Sequence, residues 1–589
     1  MVSHSIASSF SSVRRPRAFL SSSLLLGCLS LSACGGGDDR DWEYVVFSGR
    51  FIAPPVAGLH YQTVTQSGVT DASGLFKYRP GESITFKIGD IVLGTVPGAA
   101  KVNPFDLAGV TQPPLSFVDI RQELKKIKQE IADPTLLKPT SFGVAASIAT
   151  FLQTVDEDGN PDNGISIPAA LHDFATGKTV DIRSERLAPG SLGLFPDIQS
   201  ACVSEPLGQW FGVSQEHLDP YYYSPLNRLL VEASNAGLWG GQPVWRNPAL
   251  ALDTLYAGLG LAPEIAAVTQ LGSSYFDASV GIPNTSSSSH GYDAKGLPIL
   301  INGKTSFAWY PGGRLSEVSS DSRCTYSYAP GRTVLKQDNI VRSIESYNAV
   351  TNTLERKVFN REGGIVQNIS YAYDQKGNVI KAGGYTYQRD MNGYVNALEY
   401  DYNNDGMADQ YVRYAYNLQG KLTLKEGDYN HDGIVDNIET YAYDSQGKIV
   451  HWMLDKGGDG LLDAEDRYTY HQQGANAITT IEHESTTGNG LVSLRETWEH
   501  DAQGVLRLQT FDEGSDGDIE QRIVHGEHGP LTSEGRLLTE LAYQNQPDVK
   551  RTWKYDIHGN LTYWSDGTKF QNYTYTYLET KKWGSLFFF

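Results

Sequence analysis

Cysteine is scarce in this chain, with four among 589 residues, too few to staple a protein of this length into a disulfide scaffold. Nor are the four spaced as a zinc cluster. Basic residues are outnumbered, 48 Lys+Arg against 68 Asp+Glu, for a formal net charge of -20. No broad cationic face follows from that balance, so nucleic acid is excluded as a partner and metal cations fit better. Beyond the first forty residues, no apolar run approaches the roughly 18 residues of a membrane-spanning helix. Catalytic signatures are missing too: there is no nucleophile elbow, phosphate loop, zinc-binding histidine group or dinucleotide fingerprint. His451, His471, His483 and His500 follow the spacing of strands and turns and read as surface or packing residues. A glycosidase pair needs no sequence spacing, yet nothing singles one out. The chain reads as a scaffold rather than an enzyme.

What is abundant is glycine, 60 residues, and tyrosine, 34 residues, a mixture that favours short strands joined by tight turns. The length allows about three or four units. Arg14, Arg15 and Arg17 precede an apolar, small-residue stretch that ends in Leu31, Ser32, Ala33 and Cys34. This start resembles a bacterial lipoprotein signal peptide with its lipobox; the other reading is an ordinary secretory peptide or a short anchor. The resemblance implies removal of residues 1–33, a lipid on Cys34 and a tether over 34–44. Gly35 stands where an Asp would favour the inner membrane, so the implied address is the outer membrane, on either of its sides. Cys202 and Cys324 then remain in an oxidising compartment, as a disulfide or as two separate thiols. Phe587, Phe588 and Phe589 resemble the aromatic end of an outer-membrane barrel strand, a reading that the acidic, turn-rich chain argues against.

The expected fold class is multidomain and mainly β: a small N-terminal β-module, a helical middle region and a C-terminal antiparallel β-hairpin repeat array. Residues 45–105 read as a β-sandwich-like module, with alternation over Leu75–Tyr78 and Ile84–Ile88 and turns at Pro80-Gly81 and Gly89-Asp90. Through Gly74, Phe76, Tyr78 and Gly81 it resembles the β-module of many bacterial surface lipoproteins. Residues 106–270 read as mainly helical. Ile120, Leu124, Ile127 and Ile131 recur at helical spacing, and Ala145, Ala146 and Ala149 suit a buried helix. Residues 271–589 form the repeat region, clearest over 371–530.

Two motifs alternate there. Tyr-Asp-x-x-Gly or a near variant occurs at Tyr292–Gly296, Tyr373–Gly377, Tyr416–Gly420, Tyr443–Gly447, Tyr470–Gly474 and Tyr555–Gly559. Its closing glycines Gly393, Gly420, Gly447 and Gly474 recur every 27 residues. Between them lie Asp-x-Asn-x-Asp-Gly segments with the same period, so each period holds one β-hairpin. The flanks alternate with period two, which excludes a helix–loop–helix. Tyr414/Tyr416, Tyr441/Tyr443 and Tyr468/Tyr470 each share a strand face, as an aromatic packing ladder or a carbohydrate platform. This half resembles the YD-repeat (RHS-type) family, whose repeats form β-sheet wraps or shells, some enclosing a toxin domain. The few copies, the acidic loops and the lack of a recognisable toxin depart from that family. A short curved or stacked array is expected in place of a closed shell.

The acidic loops suit calcium, a hard cation that takes oxygen ligands at alternate loop positions. In one loop Asp428, Asn430, Asp432, Asp436 and Glu439 fall at positions 1, 3, 5, 9 and 12, with the Ile434 carbonyl at 7. Asp401, Asn403, Asp405 and Asp409 form a second, and Asp455, Asp459, Asp463 and Asp466 a third. A later segment keeps Asp512, Asp516, Gly517 and Glu520. After the second helix, Asp156, Asp158, Asn160 and Asp162 also alternate. Metal-free Asx turns explain the same residues. Together these features lead to a lipid-anchored envelope scaffold, adhesion or interaction protein with calcium-stiffened repeats and a protein or glycan ligand. The alternative is a surface glycan-binding or glycan-processing lipoprotein.

Overall fold

In Ser83–Ile88 the residues Ile84, Phe86 and Ile88 are fully buried while those between them are not, the mark of a strand with one face on a core. The structure, a computed structural model, describes residues 45–132, 139–178, 180–183, 225–238, 246–277, 284–473, 476–485, 491–502, 506–525, 536–541, 550–558, 560–566 and 569–583. The leader, Cys34, the tether and Cys202 lie outside them. A three-stranded sheet and a four-stranded sheet hold most strands before residue 103. The helix Phe117–Ala132 starts where the Ser116 hydroxyl accepts the Asp119 N–H (3.2 Å). The helix Ser141–Thr154 is capped by Thr140 and is buried along its length. Asn247 caps Pro248–Leu259, which stops at Gly260 in the left-handed region.

Sheets and helices share one core. Phe51, Phe76 and Phe86 from the strands meet Phe105, Phe142 and Phe151 from the helical region, with Tyr256 and Trp583 beside them. Each such side chain contributes about 1.5–3 kcal/mol on burial. The helical region therefore folds against the β-module as one body.

From Ile265 onward the chain is strand and turn. Among the described residues, 26 strands follow one another, each antiparallel to the next, and the last closes on the first. Ile265–Asp277 pairs with Lys569–Thr580, from Ile265↔Thr580 to Asp277↔Lys569. The expected array of antiparallel hairpins is present, but the open, curved form is corrected: the sheet is a closed ring. Closure removes both edges of the sheet, which otherwise present unpaired backbone groups.

An antiparallel meander sends alternate connections to opposite rims. The Tyr-Asp-x-x-Gly turns lie on one rim and the aspartate loops on the other. The turn has a local cause. Asp444 Oδ1 accepts the N–H groups of Gln446 (2.8 Å) and Lys448 (2.9 Å), and Gly447 takes φ 78°, where a side chain is strained. Asp293, Asp374, Asp390, Asn417 and Asp556 accept the equivalent pair. The tyrosine before the turn fastens neighbouring strands. Tyr416, Tyr443 and Tyr470 donate to the carbonyls of Val395 (2.9 Å), Leu422 (2.8 Å) and Ile449 (2.8 Å).

The body sits against the tyrosine rim. Asn247 N–H donates to the Gly312 carbonyl (2.7 Å), Arg228 reaches Gln375 (3.2 Å), and Arg121 holds the His558 carbonyl (2.7 Å). Val231 packs with Tyr347, Leu354, Tyr371 and Tyr373. Trp583, just past the last ring strand, enters the body's core between Phe142 and Tyr256. A smaller cluster inside the ring's first strands buries Cys324 with Phe307, Leu315 and Val318. Cys324 is disulfide-bonded.

Further round the ring, burial on one face gives way. Asn437–Tyr443, Leu494–His500 and Leu561–Ser565 are half-buried on both faces almost throughout. A ring of this strand number is on the order of 50 Å across, more than its own side chains fill. Charge confirms that water reaches both faces. Lys425 and Glu426 are consecutive and point to opposite sides; Lys425 pairs with Glu439 (2.7 Å) and Glu426 with Arg413 (2.6 Å). Neither side here offers the apolar band that a membrane barrel turns to lipid.

Two expectations follow. Tyr443→Phe deletes one strand-to-strand bond and leaves the ring in place, and should cost about 1 kcal/mol, read as a lower midpoint in chemical denaturation. The second concerns acid. His172 Nδ1 accepts the Gly89 N–H (3.1 Å), its Nε2 faces the Gly58 carbonyl (2.7 Å), and His60 stacks on its ring at 3.7 Å. Burial first, then His60, hold the His172 pKa below its ordinary 6.5, against the opposing Gly58 carbonyl and Asp173. Burial and Lys87 lower that of His60. The unfolded chain thus takes up these protons first, so the contribution is complete above about pH 6.5 and falls away below it. Melting temperature should drop from about pH 7.5 to about 5.5, and His172→Gln should flatten that slope; an unchanged slope in the variant would count against the pair.

Candidate functional site

The densest polar constellation is the aspartate rim, where four loops share the same left-handed positions four and six. They span 401–409, 428–436, 455–463 and 512–520. The fourth residue of each lies in the left-handed region: Asn404 at φ 57°, His431 at 53°, Gly458 at 61° and Ser515 at 53°. The sixth is Gly406, Gly433, Gly460 or Gly517, with φ between 84° and 98°. In the third and fourth loops the third residue, Gly457 at 89° or Gly514 at 79°, is left-handed too, so two or three such residues wind each loop inward on its own carboxylates.

Each carboxylate then has a fixed task. The first, Asp401, Asp428 or Asp455, accepts the N–H of the loop's glycine at 2.9 Å. In the fourth loop Asp512 accepts the Gly517 N–H at 3.2 Å. Asp428, Asp455 and Asp512 are buried. The fifth, Asp405, Asp432, Asp459 or Asp516, accepts the N–H two residues on, at 2.8 or 2.9 Å. The ninth, Asp409, Asp436, Asp463 or Glu520, reaches back to the N–H of the second residue. Asn403 and Asn430 accept the N–H two residues on from the third position.

This donor set is wholly oxygen, which suits calcium. One orphan supports the fit: Asp401 Oδ1 is buried and no hydrogen bond reaches it. Among the described residues, however, no three acids, imidazoles or thiols converge closely enough to form a metal cluster. The twelfth-position ligands are placed elsewhere. Glu439 lies on a strand, bonded to Lys425 (2.7 Å) and Tyr441 (2.6 Å). Asp466 meets His483 Nδ1 (2.7 Å). Both belong to strands because a strand, which carries successive side chains to opposite faces, follows each loop; the twelfth position of a helix-flanked loop does not transfer. Ile434 donates its N–H to Asp432 and exposes its side chain.

Sequence spacing did not reveal two features. Met407, Ile434 and Leu461, at the seventh position of successive loops, are 66–71% exposed, so the rim carries a row of apolar tips. Glu465 and Glu484 are buried directly opposite each other on paired strands. His451 Nε2 meets Glu465 at 2.6 Å and Arg467 joins both acids, so the pair finds its partners within the wall. Only a period-two reading of both strands together could have found it.

The first helical loop is separate. Asp156 is 3% exposed, with Oδ1 accepting the Ser166 N–H (2.8 Å). Burial is the chief cause that raises its pKa to about 6. Asp158 accepts the Asn160 N–H and the Asn163 side chain, both at 2.8 Å; the latter is the largest of the causes that lower its pKa.

No family model and no curated protein sequence matches the chain. Among solved structures it is similar to a TcdB2-TccC3-TEV crystal structure at 10% identity, over 49% of this chain and 24% of that one, with TM-score 0.14. The Photorhabdus luminescens Tc holotoxin pore matches at 10% identity over 56% of this chain and 25% of that one, TM-score 0.14. A porin-like protein from Bacteroides uniformis matches at 12% identity over 52% of this chain and 98% of that one, TM-score 0.15. The chain spans about a quarter of the toxin chains' length. Scores this low carry no argument, and the fold rests on the strand pairing itself.

Proposed function

We propose that this chain is a lipid-anchored scaffold, adhesion or interaction protein of the cell envelope, whose β-ring is stiffened by calcium along the aspartate rim. The supporting observation is one acidic loop repeated on three adjacent hairpins and once more two hairpins further on. Those loops are already tied to one another: His431 Nδ1 meets the Ala408 carbonyl (2.6 Å), and Gly457 N–H donates to the Asp436 carbonyl. A cation in each loop would relieve the repulsion among its acids and hold the tied series in register. Asp401, Asp405 and Asp409, Asp428, Asp432 and Asp436, Asp455, Asp459 and Asp463 are the proposed ligands, with Asn403, Asn430 and the Ile434 carbonyl. Cys34 would carry the lipid, with the outer membrane as the address. The apolar tips and the exposed Tyr402 and Tyr429 would meet a protein or glycan ligand. The repeat tyrosines Tyr416, Tyr443 and Tyr470 spend their hydroxyls on neighbouring strands, which favours scaffold over sugar platform.

Calorimetry of the chain should show calcium binding, a higher melting temperature and reversal by chelator. A site at a hundredfold excess over its Kd adds about 2.7 kcal/mol. Asp428→Asn with Asp455→Asn should remove part of the binding heat; no heat and an unmoved melting temperature would sink the metal reading. A glycan array separates the alternative, which needs saturable binding that Tyr402→Ala and Tyr429→Ala weaken.

A further inference from the structure

The loop after the helix Ser141–Thr154 poses a problem that the ring loops do not. The carboxyl of Asp156 is drawn into the body where a fully buried helix ends. One oxygen is satisfied by the Ser166 N–H. The other, Oδ2, is buried and makes no hydrogen bond of its own; the Asn160 N–H bears on the carboxyl but is bonded to Asp158 (2.8 Å). What lies nearby is a second acceptor: the Asp156 and Asp158 carboxyls are close enough to share a proton. Asp158 is itself fixed from the far side by Asn160 and Asn163, so it cannot turn away without losing both bonds.

A buried carboxylate oxygen facing another carboxylate is unfavourable unless something positive stands between them. The nearest buried cation does not do this. Arg246 feels Asp162 and Asp156 at a distance, but its Nε is bonded to Gln153 (3.1 Å) and its Nη2 to Thr254 (3.0 Å). We infer that this loop binds a divalent cation of the calcium class between Asp156 Oδ2 and Asp158, with Asn160 and Asp162 as further oxygen donors. All four donors are hard oxygens on an irregular loop, which suits calcium over zinc or copper. Water would complete the shell.

The position gives the site a purpose. Ile165–Ser166 follows directly and pairs in parallel with Val56–Ala57, while Glu157 N–H and the Asp156 carboxyl both hold Ser166. A cation here would fasten the buried helix to the seam between helical region and β-module. It stands apart from the ring loops and does not depend on their binding calcium.

Hydrogen exchange of the full chain, read by mass spectrometry with calcium or chelator, reports both regions at once. At about 1 mM calcium, amides of 156–166 should exchange tenfold or more slowly than in chelator, roughly the protection of a site well above its Kd. Asp158→Asn, an exposed change, should abolish that slowing while 401–409 and 428–436 respond as before. Asp156→Asn should abolish it too, and should raise the melting temperature in chelator by removing the uncompensated charge. Should Asp156→Asn fail to fold, the Asp158→Asn comparison decides alone. Equal exchange over 156–166 with and without calcium overturns the site, whatever the ring loops do. So does a slowing that Asp158→Asn retains.

Discussion

The pairing of Ile265–Asp277 with Lys569–Thr580 is the constraint on which the ring depends. It joins segments about three hundred residues apart in sequence, so it is among the costliest contacts to form by chance encounter of the chain. Once made, it converts a long meander with two open edges into a wall whose every strand has two neighbours. It also carries Trp583 to the body, where its backbone N–H donates to Asp253 (2.6 Å) and its ring joins Phe142 and Tyr256. The seam that closes the wall is thus also one of the places where the body docks. The tyrosine rim is held at both ends of the sheet by the same core.

Two kinds of strand coexist under that constraint. In the body, Ser83–Ile88 has an inside and an outside, and its stability comes from Ile84, Phe86 and Ile88 leaving water. In the far wall no such asymmetry exists. Lys425–Glu439 on one face and Arg413–Glu426 on the other, His451–Glu465 on one and His483–Asp466 on the other, replace it. Cross-strand pairs of this kind are worth about 0.2–1 kcal/mol each, so the wall relies on many small terms and on backbone pairing. The tyrosine hydroxyls that cross to a neighbouring carbonyl belong to the same economy of small, repeated bonds.

What could be read from the residues follows the range of each interaction. The Tyr-Asp-x-x-Gly turn was legible because Asp444, Gln446, Gly447 and Lys448 solve their hydrogen bonds within five residues. The aspartate loops were legible for the same reason, down to the role of Gly433. The helices around Ile120 and Ala145 showed themselves through spacing and small residues. Closure was not legible, since nothing near Leu271 marks Tyr575 as its partner. The partner that Glu439 takes, Lys425, sits on the facing strand and is visible only once register is known. Asp156 was recognised as one of four alternating oxygens, but its burial, and hence its orphaned atom, belongs to the packing of the whole body.

The ring's strand number has a consequence for how such a chain can change. When every neighbour is antiparallel and the sheet is closed, only an even number of strands satisfies all pairings, and the 26 among the described residues are even. Loss or gain of a single strand would force a parallel pair at the seam and deliver Trp583 to the wrong rim, away from the body that receives it. Two strands at a time leave the seam, the rims and the docking intact. Two strands and their two turns are one period of 27 residues. The circumference can therefore lengthen or shorten only in whole hairpins, so parity makes the repeat the smallest heritable step in the size of the enclosure.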